Sequence, residues 1–333
     1  MEQHPFAPFI QMLGKGKQGS RDLTQQEAQQ AMHMVLSGQV EPVQLGAFLM
    51  LMRVKEETGA EVAGFVQAVR ASLDLPDKLP EVALDWPTYA GKRRQLPWYL
   101  LSALLLASHG MPVLMHGIGG GTPGRVWVPD ALKALGIAPS ASIAEAADNV
   151  RNRNFAYVPL NVFSAELERM LDLKAVLGLR SPVHTIIRML NPFHASASIM
   201  GIFHPGYDDT HHQAGILLGE KNMAVFKGEG GEAERNPDGA CNVKMLRDGE
   251  ILEEEWPTLF GTRHMKDEAM DIERLVQLWR GEIEDEYGMA AVIGTAAIAL
   301  RTLGRADSIS AAEELAAKLW ETRDIAYLQK VQG

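Results

Sequence analysis

The sequence predicts an α/β protein in two parts: a small all-helical N-terminal domain, then a larger α/β domain with a central, largely parallel sheet flanked by helices. Three observations carry that expectation. Capped or apolar helical segments fill residues 1–73, a proline-bearing stretch "DLPDKLP" follows at 74–80, and a strand–turn–helix rhythm begins after it. At 333 residues the chain has room for more than one core.

The helical part is marked by its caps. "LTQQEAQQAMHMVLSG" offers Thr24 as N-cap with Glu27 three residues on, and ends at Gly38. "EPVQLGAFLMLMRVK" carries Pro42 near a helix start and is apolar almost all round, which predicts burial on both sides. "TGAEVAGFVQAVRASL" opens on a second box, Thr58 and Glu61. Strands are expected in "VALDW", "PVLMHG" (112–117), "FAYVPL" (155–160), "SIMGIF" (198–203) and "NMAVFKG" (222–228). Helices are expected at 97–108, in "PDALKALG", after "DDTHHQ", and at 267–281, 288–303 and 310–330.

Hydrophobic residues make up 46% of the chain and charged ones 22%, the proportions of an ordinary globular protein. The single cysteine, Cys241, excludes an internal disulfide framework and fits a reducing compartment. The start "MEQHPFAPFIQ" lacks the pattern of a signal peptide, and the longest apolar stretch, 98–107, is too short to span a bilayer. A cytoplasmic setting with no membrane partner is the expectation.

The net charge of −10 argues, taken alone, against a polyanion partner. Its distribution argues otherwise. Of the 32 basic and 42 acidic residues, 14 and 25 lie from Asp208 onward, leaving 18 and 17 before it. Residues 86–129 contain no acid but hold Lys92, Arg93, Arg94 and Arg125; residues 173–207 contain none either and hold Lys174, Arg180 and Arg188.

Four segments are candidate sites. In "YAGKRRQ" (89–95) three consecutive cations sit between a strand and the first turn of a helix, where free N–H groups and the helix dipole favour an anion. "HGIGGGTPGR" (116–125) matches G-x-G-x-x-G at 119–124, but Pro123 and the absence of a well-placed ribose acid favour a phosphate-cradling turn over a nicotinamide site. "HPGYDDTHH" (204–212) has metal-type side chains without a recurrent ligand spacing, so capping by Asp208 or Asp209 is the preferred reading. Lys15, Lys17 and Arg21 in "GKGKQGSRDL" form a basic, glycine-rich loop suited to a polyanion. Trp98 and Tyr89 are read as core, with base stacking as the alternative.

Over nearly its whole length the chain resembles the anthranilate phosphoribosyltransferase family. The likeness is carried by "SGQVEPVQLGAFLMLMRVKEETGAEVAGFVQAVR", "PDALKALG", "LGLRSPVHTIIRMLNP", "GEGGEAERNP" and "GTAAIALRTLGRADSISAAEELAAKLW". The resemblance implies a helical domain over 1–75, joined by helices from about 165–190, beside an α/β domain over 76–164 and 191–333, with dimerisation through the helical part. It also implies a substrate site, and here the chain departs from the pattern. Where active members carry a glycine-rich diphosphate loop, this chain reads "PTYAGKRRQLPW". Where they carry Lys-His-Gly-Asn it has Met115, His116, Gly117 and Ile118; the magnesium-binding Asp-Glu pair falls on Ala233 and Glu234. Arg180 matches the arginine that faces the aromatic acceptor, and the asparagine four residues on is His184.

The pattern looks most like the divergent trpD-like sub-branch of that family, which implies a dimer binding nucleic acid, DNA or RNA, without sequence preference. The expected groove is lined by Lys15, Lys17, Arg21, Lys92, Arg93, Arg94 and Arg125, with Arg180 and Arg188 deeper. Gly91, His116, Gly117, Gly119, Thr122 and Arg180 then form a vestigial substrate site with no assigned catalytic residue and no assured cofactor. The alternative is an active phosphoribosyltransferase, in which Arg180 orients an acidic aromatic acceptor, the 116–124 loop holds the 5-phosphate and Glu234 keeps a weakened Mg²⁺ site.

Overall fold

Helices α1 (Ala7–Gly14), α2 (Gln25–Leu36), α3 (Pro42–Lys55) and α4 (Gly59–Ser72) form the N-terminal bundle in a computed structural model that describes residues 2–332 apart from Lys17, Gly121, Pro205 and Glu268. Both expected capping boxes are present: Thr24 and Thr58 accept from the backbone N–H groups of Glu27 and Glu61, whose carboxylates return the bond. Each box satisfies two N–H groups that a helix start would otherwise leave open. Helix α3 buries Leu45, Phe48, Leu49 and Met52, but its other side is open, with Val43 78% and Val54 81% exposed.

The larger part runs β1 (Leu84–Thr88), α5 (Tyr99–Ser108), β2 (Val113–Gly117), α6 (Val128–Ala134), α7 (Ile143–Arg153) and β3 (Phe155–Pro159). Three helices follow, α8 (Leu160–Asp172), α9 (Lys174–Leu177) and α10 (Val183–Ile186), then β4 (Ala197–Ile202), α11 (Tyr207–Leu218) and β5 (Asn222–Lys227). The chain closes with β6 (Cys241–Arg247), β7 (Glu250–Trp256), α12 (Glu273–Arg280), α13 (Glu286–Thr302), α14 (Ile309–Glu321) and α15 (Tyr327–Val331). The seven strands are ordered β3-β2-β1-β4-β5-β6-β7; the first five are parallel and the last two antiparallel. The sheet is therefore mixed but mostly parallel. Among the described residues no helix is long and apolar enough to cross a membrane.

Strand alternation splits the apolar residues between two cores. On β2, Val113 and Met115 face the core made with α5, α12, α13 and α14, whereas Leu114 faces the one that continues into the N-terminal bundle. Helix α11 makes the join. Gly59 at the start of α4 lies so close that a Cβ there would fall 2.4 Å from Gln213 and 3.0 Å from the Ala214 backbone.

The sheet extends two strands beyond the expectation, and α7 is also additional. The expected helix at 267–281 contracts to α12, and the one at 310–330 divides into α14 and α15. The order of the parallel strands decides where a ligand site can form. β2 and β3 lie on one side of β1, while β4 and β5 lie on the other, so the chain reverses direction between β1 and β4. The carboxyl ends of those strands open a crevice at that switch point.

Candidate anion-binding cleft

The turn after β1 forms the floor of the crevice, and its polar groups are already engaged. The backbone N–H groups of Ala90 and Gly91 donate to Glu232 Oε1 at 2.7 and 2.5 Å. Lys92 is 1% exposed; its Nζ lies 2.5 Å from Oε1 of the fully buried Glu234, whose Oε2 accepts from Tyr99 N at 2.8 Å. Lys92 also exchanges backbone bonds with Val126, which ties the β1 turn to the loop after β2. The first of the three consecutive cations thus points inward. Contrary to expectation it is not available to an external phosphate, because a buried carboxylate requires its charge. Burial pushes the Glu234 carboxyl up to about 7, against the opposing pull of Lys92. Burial also raises Glu232, opposed by Arg188 and by the two backbone N–H groups.

This arrangement does not suit magnesium. The ion needs several free, hard oxygen ligands. Glu234 has one oxygen on an ammonium and the other on a backbone N–H, and Glu232 Oε1 holds two N–H groups. Among the described residues no cluster of three or more His, Cys, Asp or Glu is arranged to hold a metal.

Cations instead collect on the walls, in two hollows that share Arg180 and His184. The inner hollow adds Arg53 and Arg188, and the outer adds Lys174, Thr122 and Gly120. Arg180 is exposed and has no hydrogen bond or ion pair among the described residues. Partial desolvation, then Arg125 and Arg53, lower its pKa. Arg53 donates to Tyr207 Oη at 2.9 Å, and Arg125 donates to the carbonyls of Ala90 and Gly91 at 2.7 and 3.1 Å. Arg188 donates to the His184 carbonyl, and burial followed by the two arginines 188 and 180 holds His184 down to about 4. Three carboxylates face these groups: Glu57 and Asp172 on the walls and Glu232 beneath. Arg180 and Arg188 are both lowered, first by burial and then by neighbouring guanidinium groups, which marks a place where added negative charge is stabilised.

The remaining expected residues are more dispersed. Lys15 and Arg21 are exposed at the end of α1 and in the loop after it, and Arg21 already pairs with Glu27 at 2.7 Å; Lys17 lies outside the described residues. That loop borders the end of α3 that carries Arg53: Gly14 packs on Leu51, and Lys55 lies 2.8 Å from Asp22. Arg93 and Arg94 are exposed but line neither hollow. Gly91 has a φ of +65° beneath the Trp127 ring. His116 is fully buried, with Nδ1 2.7 Å from Tyr89 Oη and Nε2 3.3 Å from Asp85. A Cβ at Gly117 would fall 2.1 Å from the Thr88 carbonyl, and Gly119 lies at the outer rim near Pro129.

Trp98 and Tyr89 are buried, as the core reading expects, so neither offers a stacking face. The exposed aromatic at the inner hollow is Phe203, 55% exposed just beyond β4. Phe203, Arg53, Glu57 and Glu232 join the site without having been expected there. Arg53 alone left a clear trace, as a charge inside the otherwise apolar "LMLMRV". In "HPGYDDTHH" the N-cap of α11 is Gly206, not an aspartate; Asp208 Oδ1 accepts from Gly206 N, and both aspartates pair with Lys244.

Residues 7–73 match the helical bundle domain of the glycosyl transferase family, and residues 99–322 match the a/b domain of the glycosyl transferase family. An uncharacterized protein of Aquifex aeolicus is 31% identical over 77% of this chain and 78% of its own length. The uncharacterized protein YbiB of Escherichia coli is 27% identical over 72% of this chain and 76% of its own. Anthranilate phosphoribosyltransferase of Beijerinckia indica is 30% identical over 74% and 70%. The crystal structure of anthranilate phosphoribosyltransferase from Thermus thermophilus superposes with a TM-score of 0.78 at 23% identity, covering 96% of this chain and 99% of that one, a likeness of fold.

Proposed function

The chain belongs to the glycosyl transferase family, and from that premise we propose that it is an anthranilate-phosphoribosyltransferase-like dimer whose substrate site has become a surface for nucleic acid, bound without sequence preference. One observation carries the reading. The turn that would grip a diphosphate is closed on itself, with its N–H groups on Glu232 and Lys92 on Glu234, while Arg53, Arg180 and Arg188 line an open cleft. Closing the turn removes the backbone and metal contacts that sugar-diphosphate chemistry requires. The arginines provide a charged track with no fixed spacing of donors, which suits a repeating phosphate backbone. A dimer through the helical part is supported by Val43 and Val54 on α3, together with Val176 at 81% and Leu179 at 52% exposure.

Binding is tested by fluorescence anisotropy with labelled oligonucleotides over a range of salt in the presence of EDTA. Neutralising about six phosphates gives a log–log slope of about −4 on single strands and about −5 on duplex. Absence of binding in dilute buffer refutes the reading. The second reading, an active phosphoribosyltransferase, is favoured by the 30% identity to the Beijerinckia enzyme and by Arg180 standing free at the cleft mouth. Calorimetry with phosphoribosyl pyrophosphate and Mg²⁺ separates the two: micromolar, magnesium-dependent binding favours the enzyme, and its absence favours the nucleic-acid surface.

A further inference from the structure

The inner hollow holds more than cations. Glu57, Ser181 and His211 line it, are 7%, 7% and 2% exposed, and each has a polar side-chain atom without a hydrogen-bond partner: Glu57 Oε2, Ser181 Oγ and His211 Nε2. The unpaired atoms have definite character. Glu57 Oε1 accepts from Thr185 Oγ1 at 2.5 Å, so Oε2 is a free carboxylate oxygen. His211 Nδ1 lies 2.6 Å from the Tyr207 carbonyl and must carry the ring proton, which leaves Nε2 as a lone-pair acceptor. Burial holds that ring near a pKa of about 4, so it is neutral at ordinary pH.

A simple anion satisfies only part of this site. Phosphate would meet Arg53, Arg180 and Arg188 but would leave two buried acceptors unanswered, one of them negatively charged. The site asks for a flat group carrying N–H donors, joined to phosphates that remain among the arginines. Phe203 adds an exposed aromatic face at the same hollow. All five common nucleobases have at least one N–H donor on their pairing edge. In a duplex those donors are occupied; in a single strand they are free.

Building on the nucleic-acid reading above, we infer that the inner hollow receives an unpaired nucleobase from a single strand. Phe203 stacks on the base, Glu57 and His211 accept from its N–H groups, and the arginines hold the flanking phosphates. Such a pocket prefers single strands. Thymine and uracil, with one N–H on that edge, answer one of the two acceptors and are held less well than the amino-bearing bases, a bias at one nucleotide and not a readout of sequence.

The test compares two labelled single strands of equal length and charge, one with ordinary bases and one fully abasic, bound by the full chain in anisotropy titrations. Wild type should bind the base-bearing strand about tenfold more tightly or better, the usual scale for one stacked base. Phe203→Ala should abolish most of that difference while leaving abasic affinity unchanged, and Glu57→Gln should weaken the base-bearing strand severalfold. A melting curve on each variant confirms that it folds. Equal wild-type affinity for the two strands overturns the pocket while leaving the phosphate track in place, as does a Phe203→Ala loss shared by both strands. If wild type binds neither strand, the nucleic-acid reading falls and takes the pocket with it.

Discussion

Removing the ammonium of Lys92 tests whether the β1 turn is closed from within. Lys92→Met keeps most of the stem and deletes the charge, leaving Glu234 fully buried with only Tyr99 N as partner. Breaking a buried pair by deleting one member costs about 3–5 kcal/mol. The cost has a pH signature. Even with Lys92 present, the folded carboxyl is raised from 4.5 to about 7, so the native state binds more protons than the unfolded chain between those values, and this contribution to stability is lost as pH rises through the window. Without Lys92 the folded value rises further, and the variant continues to lose about 1.4 kcal/mol per pH unit above 7, where wild type levels off. Urea unfolding at pH 6 and pH 8.5 should therefore show a cost about 1–2 kcal/mol greater at the higher pH. The double variant Lys92→Met/Glu234→Gln should recover most of it, because a neutral amide oxygen still accepts from Tyr99 N. A penalty independent of pH, or a double variant no more stable than the single, refutes the claim that Lys92 serves Glu234 rather than an external anion.

The same geometry divides the basic turn from the cleft in binding. Arg53→Ala with Arg180→Ala should flatten the single-strand salt slope by about 1.4, at about 0.7 per phosphate contact, whereas Lys92→Met, if folded, should leave the slope unchanged; the reverse pattern in anisotropy titrations rejects the cleft as the interface. His211, held at about 4 against an ordinary 6.5, binds its proton more readily in the unfolded chain, so its share of stability is intact above 6.5 and is lost as pH falls toward 4. Urea midpoints between pH 7 and 5 should fall less steeply in His211→Gln than in wild type, and parallel curves contradict this. For the proposed dimer, wild type should sediment at twice the chain mass and Val43→Asp with Val54→Asp at the mass of one chain; a wild-type monomer rejects the dimer, and a variant of unchanged dimeric mass moves the interface off α3.

Much of the fold was legible because its signals are local. Thr24 with Glu27 and Thr58 with Glu61 announce helix starts within four residues, and both boxes form as read. The five parallel strands were recognisable as short apolar runs bounded by turns, since strands buried on both faces need no alternation. The β6–β7 hairpin escaped because "EILEEEW" is an acidic edge strand, exposed along most of its length. Yet its turn did carry a signal. Asp248 and Gly249 lie between the paired residues Arg247 and Glu250 with φ of +50° and +87°, the Asp-Gly pattern of a two-residue hairpin.

The site was less legible, for a reason visible in one pair of residues. Read along the chain, Lys92, Arg93 and Arg94 form a single cationic patch, because neighbours in sequence are assumed to share an environment. Lys92 instead turns toward Glu234, 142 residues away, and the two that follow it face solvent outside the cleft. The cations that do converge come from α3, the loop after β2, and the segment joining α9 to α10 and the following turn: Arg53, Arg125, Arg180 and Arg188. Nothing in their spacing predicts convergence; the reversal of strand order between β1 and β4 creates it. Glu234 explains why Lys92 adds no charge at the surface of the turn, and Glu232 why the N–H groups of Ala90 and Gly91 are not open to a ligand. These acids lie beneath the turn, one holding its N–H groups and the other its lysine, so the lysine is committed to a buried carboxyl and not to the surface. Lys92 is thereby removed from the field that an approaching strand meets, and that field is set by the cations that reach the cleft, Arg180 foremost among them.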